Sequence, residues 1–149
     1  MSITFYSKSP DYAWLSNFSA HPFENDGVRW RSVEHYYQAQ KFPGTEHPEK
    51  IRELSNAPAA RSYAQNRALT PRADWDAVKE DVMRRALDAK FRQNRKLREQ
   101  LLATGDEALI HHSTSDSYWG TGRDGDGQNR LGVLLMELRA LLLRESAPE

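Results

Sequence analysis

Glu34, Gln38 and Lys41 fall at i, i+4 and i+7 within the run Val33–Phe42. In a helix that spacing puts a carboxylate, an amide and an amine on one narrow stripe. Val33, Tyr36, Tyr37, Ala39 and Phe42 occupy much of the remaining circumference, so such a helix is largely buried. Its polar stripe then faces either water or a cavity. In water the Glu–Lys pair contributes little. In a cavity, burial and mutual attraction would move both pKa values, which is the condition for acid–base or nucleophilic work. The spacing alone leaves both open.

A second candidate runs from Ser113 to Gly132. It holds five of the eight glycines (Gly120, Gly122, Gly125, Gly127 and Gly132), the adjacent Tyr118 and Trp119, and the carboxylates Asp116, Asp124 and Asp126. It leads into the most apolar helical run of the chain, which starts near Leu131. Glycine lets another molecule approach the backbone closely. A helix start presents N–H groups and the positive end of the helix dipole, so the loop reads as an anion cradle near Asn129-Arg130. Trp119 beside it offers a ring for stacking. The plainer reading is a surface turn.

Other chemistries are excluded by pattern. Gly120-Thr121-Gly122-Arg123-Asp124-Gly125 has GxGxxG spacing. It lacks the preceding apolar strand and the helix opening at the glycines that dinucleotide binding needs. No Walker-type GxxxxGK[ST] and no GxSxG is present. Asp124 and Asp126 begin like a calcium loop, but Asn129 and Leu135 stand where that loop requires Gly and Glu. His111-His112 has no companions at zinc spacing, so no metal and no cofactor is expected. The run Lys90, Arg92, Arg95, Lys96, Arg98 reads as a solvated basic helix face that could also contact phosphates.

The elements that must position these groups follow from local signals. Ile3–Tyr6, Leu15–Phe18 and Val28–Arg31 read as strand-like, the last after the Asn25-Asp26-Gly27 turn. Ser32 caps the helix Val33–Phe42, and Pro43-Gly44 stops it. Pro48 and Pro58 suit the first turns of two short helices. Asp74 opens a longer helix with Trp75, Val78, Val82, Ala86 and Ala89 at threes and fours. There Asp74 reads as an N-cap, Trp75 as core and Lys79 as a surface charge. Asn94 breaks that helix; Lys96–Thr104 forms the next, ended by Gly105. Ala108–Ile110 reads as a strand, and Leu131–Leu143, apolar nearly all round, as a buried helix. Pro148-Glu149 reads as a frayed tail. The fold class expected is α+β, mostly helical, one domain over residues 1–149, with a small sheet or a few hairpins.

Composition agrees with such a domain. The chain has 149 residues, 21 Lys+Arg against 21 Asp+Glu, and no cysteine. Zero net charge argues against a general nucleic-acid binder, and the lack of thiols excludes disulfides and thiolate catalysis. No secretory leader and no spanning apolar run is visible, so a cytoplasmic protein away from membranes is expected.

The pieces taken together resemble the NADAR family of YbiA-like proteins. The resemblance rests on Trp14-Leu15-Ser16-Asn17-Phe18, Trp30–Phe42, Arg72–Lys79, Ala89-Lys90-Phe91, Leu101–Asp106, Asp116–Gly122 and Asn129-Arg130-Leu131-Gly132, in family order over nearly the whole chain. His111-His112 stand where the family commonly has a Glu ahead of Ser113. The resemblance implies an N-glycosidase acting on a phosphorylated ribose joined through nitrogen to a flat heterocycle or amine. It implies Glu34, Lys41 and Asp116 as catalytic residues, Lys41 as a covalent catalyst. It implies Asn17, Trp75, Trp119, Gly120, Gly122 and Asn129 as substrate-binding, which turns Trp75 from core to substrate. Early riboflavin-biosynthesis intermediates are the leading substrates. Guanine ADP-ribosylated in nucleic acid is a second, which would use the basic run from Lys90 to Arg98. A non-catalytic module for ADP-ribose-like ligands is a third.

Overall fold

The computed structural model describes residues 1–146. The tail expected at Pro148-Glu149 lies outside them. The elements run β1 (Ser2–Phe5), a 3-10 turn (Ala13–Leu15), β2 (Phe23–Asn25), β3 (Val28–Trp30), α1 (Val33–Ala39), α2 (His47–Glu53), α3 (Ala57–Ala64), α4 (Trp75–Gln93), α5 (Arg95–Ala103), β4 (Ala108–His111) and α6 (Arg130–Ser146). The fold is α+β and mostly helical, as expected. It divides into two compact units, Met1–Ser16 with the chain from Asn94 onward, and Asn17–Gln93.

In the second unit, β2 and β3 pair antiparallel, Phe23 opposite Trp30. Asp26 and Gly27 both have positive φ, 54° and 77°. That is the requirement of a type I′ hairpin, which Asp-Gly meets. Ser32 caps α1, its hydroxyl accepting from the His35 N–H at 3.2 Å. All seven residues of α1 are buried, so it is the central helix of this unit, packed by α2, α3 and α4. His35 reinforces its start. The ring spans Ser32 Oγ at 2.7 Å and the Leu54 carbonyl at 2.9 Å. Burial holds its pKa below the usual value. The prolines open α2 and α3 as expected.

Three expectations change here. Residues 15–18 form no strand; Leu15 ends the 3-10 turn, and the Asn17 carbonyl instead accepts the Glu34 N–H at 3.1 Å. α1 ends at Ala39, not Phe42. Beyond it the backbone tightens to three-residue steps, Lys41 N–H to Gln38 O and Phe42 N–H to Ala39 O. Asp74 does supply the carbonyl that starts α4, bonded by Ala77 and Val78 N–H groups. Its carboxylate, however, accepts from Nε and Nη2 of Arg72, at 2.6 and 2.9 Å.

In the first unit, β1 and β4 pair in parallel, Ile3 opposite Leu109. A parallel pair needs a long crossover; here most of the chain lies between them. α6 packs on β4 and against α5. α6 is not buried all round. Leu131, Leu134, Leu135, Leu138 and Leu142 form its inner stripe, while Leu141 and Leu143 are exposed. Arg139 interrupts that stripe and donates to Thr104 Oγ1 at 2.9 Å. Among the described residues no helix is long and apolar enough to cross a membrane.

Candidate active site

The second unit assembles Asn17, Glu34, Lys41 and Trp75. Glu34 sits in the first turn of α1 and is only 7 % exposed. Gln38, one turn on, donates from Nε2 to Glu34 Oε1 at 2.7 Å. The carboxylate is thus fixed in a buried setting, and the solvent-face reading of the stripe is overturned for Glu34 and Gln38. Lys41 is half-buried in the tightened turn after α1. Its Nζ lies 5.6 Å from the centre of the Tyr37 ring and 5.7 Å from that of Trp75. The two rings meet edge to face, centres 5.0 Å apart. Burial pulls the Lys41 amine below its ordinary pKa; Glu34 opposes this, while Arg61 and Lys79 add to it. A partly desolvated amine with a depressed pKa is a nucleophile in waiting. Trp75 is half-buried rather than core.

The Ser113–Gly132 segment belongs to the first unit and folds on itself. Asp116 Oδ1 accepts the N–H groups of Tyr118 (3.0 Å) and Trp119 (2.8 Å). Asn129, with φ of 51°, accepts the His111 N–H on Oδ1 at 2.8 Å and donates Nδ2 to the Leu109 carbonyl at 2.9 Å. The start of α6 is not an open anion cradle. The N–H groups of Asn129, Arg130 and Leu131 donate to the carbonyls of Gly120, Tyr118 and Trp119. Gly120 is required by closeness, since a Cβ there would come within 2.9 Å of the His111 carbonyl. Gly122 has φ of 73°. Trp119 is 8 % exposed, with the half-buried Tyr118 ring edge-on to it at 4.9 Å. His111 stacks on Phe5 at 5.3 Å, which gives the departure from the family pattern a packing role.

Asp116→Asn separates the two things this carboxylate offers. Asn keeps an acceptor for the Tyr118 and Trp119 N–H groups, so the melting temperature is expected to hold within a few degrees. Asp116→Ala removes it and is expected to cost about 1–2 kcal/mol. Loss of turnover in Asp116→Asn at unchanged melting temperature would assign the charge to chemistry; unchanged turnover in it would leave Asp116 as a loop brace.

The basic run from Lys90 to Arg98 is not one solvated face. It is split by the break at Asn94. Arg92 pairs with Asp88 and Arg95 with Glu99. Lys90 is 1 % exposed. Sequence reading missed it as an interior residue, although Met83, Leu87 and Lys90 at i, i+4 and i+7 mark one buried stripe of α4. Among the described residues no group of three or more His, Cys, Asp or Glu side chains could hold a metal.

The sequence model of the NADAR domain family matches residues 4–143. The chain belongs to the NADAR family. It is 50 % identical over 143 residues to the N-glycosidase YbiA of Shigella flexneri, spanning 96 % of this chain and 89 % of that one. It is 41 % identical over 146 residues to a riboflavin biosynthesis protein of Vibrio vulnificus, spanning 98 % of this chain and 40 % of the relative. The NMR structure of the Escherichia coli protein YbiA matches with a TM-score of 0.89 at 46 % identity, over 100 % of this chain and 92 % of that one. The NADAR motifs thus put Glu34 and Lys41 on and just after one buried helix.

Proposed function

We propose that this NADAR protein is an N-glycosidase that hydrolyses the bond between C1 of a phosphorylated ribose and the nitrogen of a heterocycle or amine, with early riboflavin-biosynthesis intermediates as its substrates. The observation that carries the reading is the Lys41 amine, desolvated beside buried Glu34 and flanked by Tyr37 and Trp75. The names of the N-glycosidase and riboflavin biosynthesis relatives support the reaction class and the substrate class.

The chemistry suits an aminoribosyl substrate. Its sugar ring opens so that C1 becomes an imine carbon bonded to the leaving nitrogen. Neutral Lys41 adds its lone pair to C1, and Glu34 carries the proton from Lys41 to the departing nitrogen. The C1–N bond to the heterocycle breaks as the Lys41–C1 imine forms. Water then adds to C1, releases the sugar as its aldehyde and returns the free amine. The protonated imine is a diffuse, weakly hydrated cation, which the Tyr37 and Trp75 faces stabilise better than bulk water does. Asp116, Trp119, Gly120, Gly122 and Asn129 keep the roles the family resemblance gives them as proposals.

The deciding experiment offers the purified protein a phosphoribosylamino-pyrimidine and, in parallel, guanine-linked ADP-ribose on nucleic acid. Release of the pyrimidine with no action on the second supports the proposal. Action on the second alone would replace the substrate by ADP-ribosylated guanine. Action on neither would make the protein a ligand-binding module. The split and partly paired basic run gives the nucleic-acid reading less support than the sequence did.

A further inference from the structure

Gln38 stands one turn after Glu34 on α1 and is 6 % exposed. Leu or Met would fill such a position with no polar group to satisfy. Gln38 brings an amide instead, and only half of it is used. Its Nε2 donates to Glu34 Oε1 at 2.7 Å, while its own Oε1 is buried without a hydrogen-bond partner among the described residues. A half-satisfied amide in the interior weakens the fold. Where a chain keeps such a group, function is the first reason to look for. The contact that this side chain does make is with the carboxylate the mechanism above requires.

The orientation of the amide follows from that carboxylate. Turned the other way, Gln38 Oε1 would face Glu34 Oε1, acceptor against acceptor. The arrangement therefore fits an ionised Glu34, with the amide N–H as its donor. It also fits a Glu34 that has taken up a proton, on one condition. A proton on Oε1 would meet the Gln38 N–H, donor against donor. A proton on Oε2 leaves Oε1 as the carbonyl oxygen, and the bond from Nε2 survives. Gln38 reaches the other partner in the transfer as well. Its backbone carbonyl accepts the Lys41 N–H at 3.2 Å, while the Glu34 N–H is held by the Asn17 carbonyl at 3.1 Å.

We propose that Gln38 is a positioning residue: it keeps Glu34 ionised before reaction, ties up Oε1, and so makes Oε2 the oxygen that takes the proton from Lys41 and hands it to the departing nitrogen. The proposal rests on the N-glycosidase reading and deepens it by naming the atom that carries the proton. One proton leaves Lys41 Nζ, rests on Glu34 Oε2 and ends on the leaving nitrogen, so the balance of the step is unchanged.

A bond donated to the ionised form favours that form, so its loss lets Glu34 take up a proton at higher pH. The reaction needs Glu34 ionised and Lys41 neutral, and the rate rises with pH through both. Burial holds the Lys41 amine below its ordinary value, and the Glu34 charge opposes this. A Glu34 that protonates more readily opposes it less, which moves the Lys41 limb down. An upward move of the acid limb therefore belongs to Glu34. The elements packed against α1 are α2, α3, α4 and β3. Arg61 of α3 and Lys79 of α4 act on Lys41. His47 of α2 is bonded to Tyr63 of α3, and Arg29 of β3 is exposed. The other charges along α2 and α4 pair mostly within their own helix. On α1 itself, His35 is held below and Tyr36 above its ordinary value. Lys90 of α4, pushed down to about 7 by burial, is common to all variants, so differences between profiles are what is read.

The test measures kcat and KM of the wild-type protein, Gln38→Met and Gln38→Glu on a phosphoribosylamino-pyrimidine across the acid and neutral range. In the same proteins the Glu34 side-chain carboxyl carbon is titrated by NMR, its signal assigned by its loss in Glu34→Gln. In Gln38→Met the acid limb and the Glu34 titration are both expected about one pH unit higher, with kcat about tenfold lower on the acid side. The gap is expected to narrow as pH rises, with KM unchanged. In Gln38→Glu two adjacent carboxylates share a proton, so the limb is expected higher still. A loss of kcat equal at every pH, a rise in KM alone, or an unmoved Glu34 titration would overturn the proposal. If Gln38→Met does not fold, Gln38→Glu decides, since its side chain has the shape of glutamine. No turnover by the wild type, with a Glu34 titration that still moves in the variants, removes only the N-glycosidase reading. Turnover with superimposable profiles removes only the role of Gln38.

Discussion

Lys41→Ala is expected to lower turnover by roughly a thousandfold or more while leaving the melting temperature near that of the wild type. Lys41 is half-buried and lies after the last residue of α1, so truncating it opens no sealed cavity. The large effect is in the reaction, because the substitution removes the amine that bonds to C1. Lys41→Arg sharpens the test. Arginine keeps a cation against Tyr37 and Trp75 but is protonated at all working pH values and cannot form the imine. It should be as inactive as Lys41→Ala while binding the substrate better. Borohydride during turnover should fix the sugar to the wild-type chain, at a peptide containing Lys41, and leave both variants unlabelled. Near-full activity in Lys41→Ala would remove the imine route and leave direct attack of water on C1, with a carboxylate stabilising the positive sugar. The pH profile is a second check. The neutral amine is the reactive form, so the rate should rise with pH through a Lys41 pKa that burial has lowered.

The parts of the fold that follow from a few adjacent residues are legible in the sequence. Ser32 as a cap, Pro48 and Pro58 in first turns, Asp26-Gly27 in a hairpin and Gly105 after α5 each satisfy a local backbone demand. The parallel pairing of β1 with β4 is not local, since its partners are separated by most of the chain, and short strands carry no mark of whom they join. The candidate site divides the same way. The spacing of Glu34, Gln38 and Lys41 predicts a shared stripe. Which way the stripe faces depends on α2, α3 and α4 covering α1, and no residue of α1 states that. Trp75 reads as core because it is large and apolar; its half-exposure comes from its place at the first residue of α4, against Tyr37. Lys90 was obscured by its charge. Its neighbours Met83 and Leu87 give the position away only if a lysine is allowed inside.

Gly132→Ala is expected to destabilise the protein by about 3 kcal/mol or more, at the upper end of overpacking costs. For a chain of this size that is a drop of roughly 6–12 °C in melting temperature. Alanine is the better helix former, so on an open helix face the change would stabilise by up to about 1 kcal/mol. Here the added Cβ would overlap the Leu109 carbonyl and both ends of the Asn129 amide. That carbonyl accepts Asn129 Nδ2, and Asn129 Oδ1 holds the His111 N–H. The methyl would therefore drive α6 off β4 and break the two bonds that tie the end of the glycine loop to the strand. Gly125→Ala is the contrast. Its φ of 81° makes alanine strained, but no atom lies within 4 Å of the new Cβ. Its cost should stay near the roughly 1–2 kcal/mol of a left-handed residue. If Gly132→Ala is no worse than Gly125→Ala, the close approach of α6 to β4 is not what that glycine is for. A large difference would mean that Gly132 serves the chain's own packing, and that the backbone it lays bare is covered by Leu109 and Asn129 rather than offered to a phosphate.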